Sequence, residues 1–216
     1  MPTSPETDKL PPLIRALFNP ACYDHAIGQM QLIETHISWV LLTGKYAYKI
    51  KKPLDLGFLN FSTLVLRQQA CADDVRLNRR LAAEIYLGVV AITGSPDLPR
   101  INGSGMTIEY AVKMRQFPPD ATLDRLNERG ELGFAQIDQI SARLAYFHLA
   151  ECPSAHADTP WGEPDTIARP VAENFHILTG RLGDPAENQR LVKLQSWSTA
   201  EHHRLTPMMR ERKRNG

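Results

Sequence analysis

The sequence predicts an α+β protein with an antiparallel sheet and one long helix in its first half and a run of helices in its second. Three observations carry that reading. Residues 31–52 alternate in the manner of strands around a Thr43-Gly44-Lys45 turn. A stretch free of Gly and Pro follows Ser62. From Pro118 onward the apolar spacing becomes helical.

Taken in order, a Pro-rich start and a short helix over 13–18 lead into two or three antiparallel strands. The turn separates strand 37–42 from strand 46–51, with β-branched and aromatic residues on both sides. Ser62 is the expected cap of a helix over 62–83, whose inner face would carry Ala70, Cys71, Asp74, Leu77 and Leu81. Two further strands are expected at 89–92 and 106–117, joined by a turn-rich segment over 93–105. Helices then follow at 122–131, 134–151, 170–178, 185–205 and 207–214. Asp184-Pro185 and Thr206-Pro207 supply start signals, and Asn215-Gly216 resembles a C-cap. Because Pro119 disfavours helix at Pro118, the chain is expected to divide there, into 1–117 and 118–216.

A chain of 216 residues with 43% hydrophobic content has enough apolar surface for a sizeable core. Its formal charge of +1 gives no general drive toward nucleic acid or an anionic membrane. The local basic end of Arg210, Arg212, Lys213 and Arg214 reads as a solvated helix face. Cys22, Cys71 and Cys152 lie far apart without a CxxC, so neither a disulfide framework nor a zinc ribbon is indicated. The first dozen residues hold Glu6, Asp8 and four prolines where a signal peptide needs basic and then apolar residues, and no run approaches a membrane span. A cytoplasmic location is expected.

The residues with chemical potential lie in the hairpin and the helix after it. In Tyr48-Lys49-Ile50-Lys51, strand alternation puts Lys49 on one face with Ala47 and Lys51. An ammonium on the concave face of a sheet can hold nucleotide phosphates as a point charge if a helix carboxylate fixes its position. Of the two candidates, Asp74 leans inward and Asp73 suits a solvent-exposed pair with Arg76. The competing reading is a surface strand of three solvated lysines beside ordinary surface aspartates. His148 reads as a packed helix residue, and His202-His203 lack a third ligand for a metal.

Three stretches resemble the aminoglycoside phosphotransferase-like proteins: Glu34-Thr35-His36-Ile37-Ser38-Trp39-Val40-Leu41-Leu42-Thr43-Gly44, Tyr46-Ala47-Tyr48-Lys49-Ile50-Lys51-Lys52-Pro53, and Arg76-Leu77-Asn78-Arg79-Arg80-Leu81. The similarity is to the bacterial branch whose kinase-like half is often fused to a C-terminal P-loop ATP-binding domain. It runs from about Gln31 to the chain's end and is weakest after Pro118. The resemblance implies a protein-kinase-like fold, with an antiparallel-sheet N-lobe and an incomplete helical C-lobe. It implies ATP as ligand, with Lys49 on the phosphates and Asp74 in place of the family's longer glutamate. Thr35, His36, Ile37 and Ser38 would form the phosphate-covering turn, and Lys113, Met114, Arg115 and Gln116 the hinge beside adenine.

The resemblance also implies a small-molecule acceptor that the sequence does not name. The family's H-G-D-x-x-x-x-N loop and the following magnesium-binding Asp have no counterpart here; His156-Ala157-Asp158 looks similar for three residues, but Ala157 replaces the Gly and Glu163 stands where the Asn belongs. The chain is therefore expected to be a portion that stops short of the catalytic loop. It would have no catalytic residue of its own, and Mg2+ would enter only with the rest. The alternatives are a non-catalytic nucleotide-binding or regulatory module and a helical interaction domain with an incidental hairpin.

Overall fold

A computed structural model describes residues 9–152 and 158–215. Among them six strands form one antiparallel sheet: β1 (Gln31–Glu34), β2 (Ser38–Leu42), β3 (Tyr46–Lys51), β4 (Tyr86–Ser95), β5 (Leu98–Ile101) and β6 (Thr107–Arg115). Their spatial order is β1-β2-β3-β6-β4-β5. The expected hairpin is β2 and β3, turning at Thr43–Lys45. Gly44 takes a positive φ of 93°, where a side chain would be strained. Thr43 closes the turn with both its N–H (2.9 Å) and its hydroxyl (2.7 Å) donating to the Tyr46 carbonyl.

β5 lies inside the segment read as turns. It is an edge strand of four residues whose Pro99 weakens its strand signature, and an edge tolerates the missing donor. Its burial nevertheless alternates, with Pro99 and Ile101 inward.

The sheet is covered on both faces. On one, α1 (Pro12–Ala16) and the turn after it bring Ile14, Leu17, Cys22 and Tyr23 against Leu41, Tyr48, Ile50, Val90, Ile92 and Ala111. On the other, α2 (Leu64–Ala82) sets Cys71 and Val75 against Val112, flanked by Tyr86, Val89, Tyr110 and Met114. Each fully buried aliphatic side chain in these layers contributes about 1.5–3 kcal/mol.

The α2 cap is Thr63, whose hydroxyl accepts from Leu66 N–H at 3.3 Å, not Ser62. Ser62 is already committed: its N–H and hydroxyl both donate to Asn60 Oδ1. The expected inner face of α2 also needs correction, because Leu77 and Leu81 are exposed and the buried stripe holds Arg67, Cys71 and Val75.

Tyr48 is fully buried on the first face, and its hydroxyl has no hydrogen-bond partner. Burial raises its phenol above the ordinary range, so it stays neutral. Tyr48→Phe removes a desolvated, unpaired donor and keeps the ring. A thermal melt should show the variant at least as stable as the parent, with a gain of about 1 kcal/mol. A clear loss of stability would mean that the hydroxyl is satisfied.

The chain forms two compact units, the first reaching to Phe147 and the second starting at His148. The helices expected to open a separate part at Pro118 thus fall with the sheet. They are α3 (Leu123–Glu128) and α4 (Phe134–Tyr146), followed by a π-helical turn, Phe147–Glu151, where a single helix to 151 was expected. Arg143 donates to the Arg80 carbonyl at 2.5 Å, and the Arg80 guanidinium lies 4.6 Å from the Phe147 ring centre, tying α4 to the end of α2. His148, expected to pack inside a helix, is exposed.

The second unit pairs α5 (Pro164–Thr179) with α6 (Pro185–Arg214). α5 begins six residues before the expected 170, since Pro164 already occupies the first turn where a missing N–H costs nothing. α6 runs unbroken through the expected stop at Pro207. Thr206 donates to the His202 carbonyl at 2.9 Å inside that turn. Lys213 is not solvated: it reaches Glu163 at 2.6 Å and the Thr159 carbonyl at 2.5 Å. Asn215 forms the α6 C-cap, while residues 1–8, Gly216, and His156 and Ala157 of the H-A-D stretch lie outside the described residues.

Among the described residues no helix is long and apolar enough to cross a membrane.

Candidate functional site

β3 is an inner strand, hydrogen-bonded to β2 on one side and β6 on the other. Its period of two turns Tyr48 and Ile50 into the α1-side core and leaves Lys49 and Lys51 facing α2. There both lysines meet one carboxylate oxygen. Lys49 Nζ lies 2.9 Å and Lys51 Nζ 2.6 Å from Asp74 Oδ2. The other oxygen, Oδ1, accepts from Asn78 Nδ2 at 3.0 Å, one helical turn further along α2.

The three side chains differ in access to water: Lys49 keeps 27% of its surface exposed, Asp74 15% and Lys51 7%. Burial works to raise the Asp74 carboxyl, but hydrogen bonds and charge from Lys51 and Lys49 outweigh it and hold the group below the usual carboxylate range. Asp74 is ionised at neutral pH, and the stability it gives its lysines is lost only as pH falls through that lowered value. Beside them Cys71 is fully buried, and burial pushes its thiol up to about 11, so it is inert packing and no nucleophile. Lys51 also stands 5.4 Å from the centre of the Phe61 ring.

The expected phosphate-covering turn connects β1 to β2. Thr35 closes it, since its N–H and hydroxyl donate to the Ser38 carbonyl at 2.9 and 3.0 Å and its Oγ1 accepts from Ser38 N–H at 3.0 Å. His36 and Ile37 form the tip, whose Ile37 carbonyl accepts from Lys52 N–H at 2.9 Å. Ser38 is the cross-strand partner of Lys51 and is fully buried, with a hydroxyl that has no partner.

The expected hinge is only partly brought to this face. Met114 pairs with Ala47 and packs beside α2. Lys113 pairs with Tyr48 on the opposite face and lies 4.2 Å from the Tyr46 ring centre. Arg115 donates its N–H to the Ile85 carbonyl, and Gln116 donates its own to Lys45 and accepts from Gly44 N–H. Lys113, Met114 and Arg115 are paired in the sheet with β3, and the N–H groups of Arg115 and Gln116 are engaged by the Ile85 and Lys45 carbonyls.

Two features were not read from the sequence. Asn78 stands four residues after Asp74, a spacing that could have revealed it. The other is a buried ion pair at the base of α2, where Arg67 Nε lies 2.9 and 2.8 Å from the two oxygens of Glu109. The expected Asp73–Arg76 pair is present on the exposed side at 2.8 Å.

Among the described residues no cluster of three or more His, Cys, Asp or Glu is placed to hold a metal ion.

Comparison with known proteins adds a relationship without an activity. No family model matches the chain. It is similar to an uncharacterized protein of Mycobacterium bovis and to uncharacterized proteins of two strains of Mycobacterium tuberculosis, each 34% identical over 145 residues. The aligned stretch covers 67% of this chain and 27% of each relative, so the chain spans about a quarter of their length. No solved structure matches.

Proposed function

We propose that the sheet-containing unit binds the phosphates of an adenine nucleotide, as the ATP-binding portion of a small-molecule phosphotransferase with a protein-kinase-like fold similar to the aminoglycoside phosphotransferases. The observation that carries this reading is the convergence of two lysines on one carboxylate. Two ammoniums and one carboxylate sum to +1, and Lys49 retains access to solvent. Such a group is built to receive an anion. The buried, unpartnered Ser38 hydroxyl beside Lys51 is a donor that an internal water would satisfy.

In this reading Lys49 holds the phosphates, Asp74 sets its position, and the Thr35–Ser38 turn covers them. Adenine lies beside the hinge over 113–116 at the end of β6, where the N–H groups of Arg115 and Gln116 are already engaged within the protein. The H-G-D-x-x-x-x-N loop does not occur in this sequence, so the acceptor base and the magnesium ligands come from elsewhere.

Calorimetric titration of ATP into the 216-residue chain tests the site. Saturable one-to-one binding that inorganic tripolyphosphate competes away is expected, with no transfer of the γ-phosphate to aminoglycosides or other hydroxyl acceptors. Absence of saturable binding would remove the nucleotide reading. Robust ATP-dependent phosphorylation would show that other residues of this chain perform the chemistry.

A further inference from the structure

We infer that Lys51, not Lys49, is the standing counter-ion of Asp74, and that anion affinity here follows the summed charge of Lys49, Lys51 and Asp74 instead of the presence of Lys49 alone. This rests on the reading of the cluster as a phosphate site and deepens it by assigning Lys51 a positioning role.

The geometry separates the two lysines. Lys51 makes the shorter contact, 2.6 Å against 2.9 Å, and is nearly excluded from water. It also stands 5.4 Å from the centre of the Phe61 ring. A cation so enclosed has no comparable partner to move to, and leaving the carboxylate would strand it unpaired. Lys49 reaches the same oxygen from the more open side. The neighbouring charges are closed into pairs of their own: Lys52 with Glu34 at 2.6 Å, Arg67 with Glu109 at 2.8 Å and Arg76 with Asp73 at 2.8 Å. One positive charge therefore remains over at the cluster.

A simple lysine–carboxylate pair is neutral, and an anion that takes the lysine leaves the carboxylate exposed to repulsion. Here an anion can take Lys49 while Lys51 and Asn78 continue to hold Asp74. The second lysine thus frees the first. Without Lys51, Lys49 becomes the one ammonium on Asp74, the cluster sums to zero, and an arriving phosphate meets the carboxylate's field. Deleting the Asp74 charge as well returns the sum to +1 and releases Lys49.

The test is calorimetric titration of inorganic tripolyphosphate, at low ionic strength where the charges are not screened, into three proteins: the parent, Lys51→Met and Lys51→Met/Asp74→Asn. Lys51→Met should bind about tenfold more weakly or worse, the loss of one charge-assisted contact. The double variant should return to within about twofold of the parent. Circular dichroism checks folding, and Lys51→Gln replaces Lys51→Met if that variant does not fold. A merely structural Lys51 would lower the thermal melt of Lys51→Met and leave the tripolyphosphate affinity of the folded variant unchanged. Unchanged affinity in Lys51→Met, or a double variant as weak as the single, overturns the charge-sum inference while leaving the phosphate site in place. If the parent itself does not bind tripolyphosphate, the site reading falls and takes the inference with it.

Discussion

Glu109→Ala is expected to destabilise the sheet-containing unit by about 3–5 kcal/mol, the cost of leaving a buried charge without its partner. The stranded group is Arg67, of which only 8% is exposed. Its Nε is held by both Glu109 oxygens, and its Nη1 donates to the carbonyls of Phe61 and Ser62 at 2.9 and 3.3 Å. Glu109 in turn accepts from the Tyr110 N–H at 3.0 Å, so its removal also orphans a backbone donor. Replacing both partners by apolar groups of similar size, Arg67→Met with Glu109→Leu, removes the uncompensated charge, and most of the loss should disappear. Amide hydrogen exchange along β4 and β6 reads this unit's stability without interference from the α5–α6 unit. A loss below about 1 kcal/mol in the single variant would show that water reaches and solvates Arg67.

That ion pair bears on the site through helical geometry. Arg67, Cys71, Asp74 and Asn78 follow one another at steps of four, three and four residues and so share one face of α2. Fixing Arg67 to β6 and to the loop before α2 sets the rotation of the helix, which delivers Asp74 to the lysines of β3 two turns later.

The same stripe explains what could be read in advance and what could not. The β2–β3 hairpin and the shared face of Lys49 and Lys51 follow from strict alternation about a glycine turn, a local signal carried by adjacent residues. The α2 face was harder, because polar residues point inward while Leu77 and Leu81 are exposed. Hydrophobic periodicity gave Asp74 the correct side with Cys71 beside it, but wrongly added Leu77 and Leu81. Arg67 and Glu109 stand 42 residues apart, and no local pattern links them. Pro99 hid an edge strand, and Pro207 marked a break that α6 does not make. In each miss a local rule was overridden by tertiary context.

Lys49→Ala is expected to weaken ATP binding by about 10- to 150-fold, the worth of one charge-assisted hydrogen bond to phosphate. Because Lys49 keeps 27% of its surface in solvent, screening places the effect toward the lower end of that range. The fold should hardly respond. Lys51 at 2.6 Å and Asn78 at 3.0 Å still satisfy Asp74, so the variant loses a partly exposed pair and no buried carboxylate is abandoned. Its loss of stability should stay under about 1 kcal/mol. This split between a large binding effect and a small stability effect separates a ligand-holding lysine from a structural one. Lys49→Ala and Lys51→Met both reduce the cluster to zero net charge, so their affinities should fall together. Calorimetric titration of ATP, paired with thermal melts of the same samples, reads both quantities. Equal ATP affinity in the parent and Lys49→Ala would remove Lys49 from the site, and a melt depressed as far as that of Glu109→Ala would make it part of the structural framework.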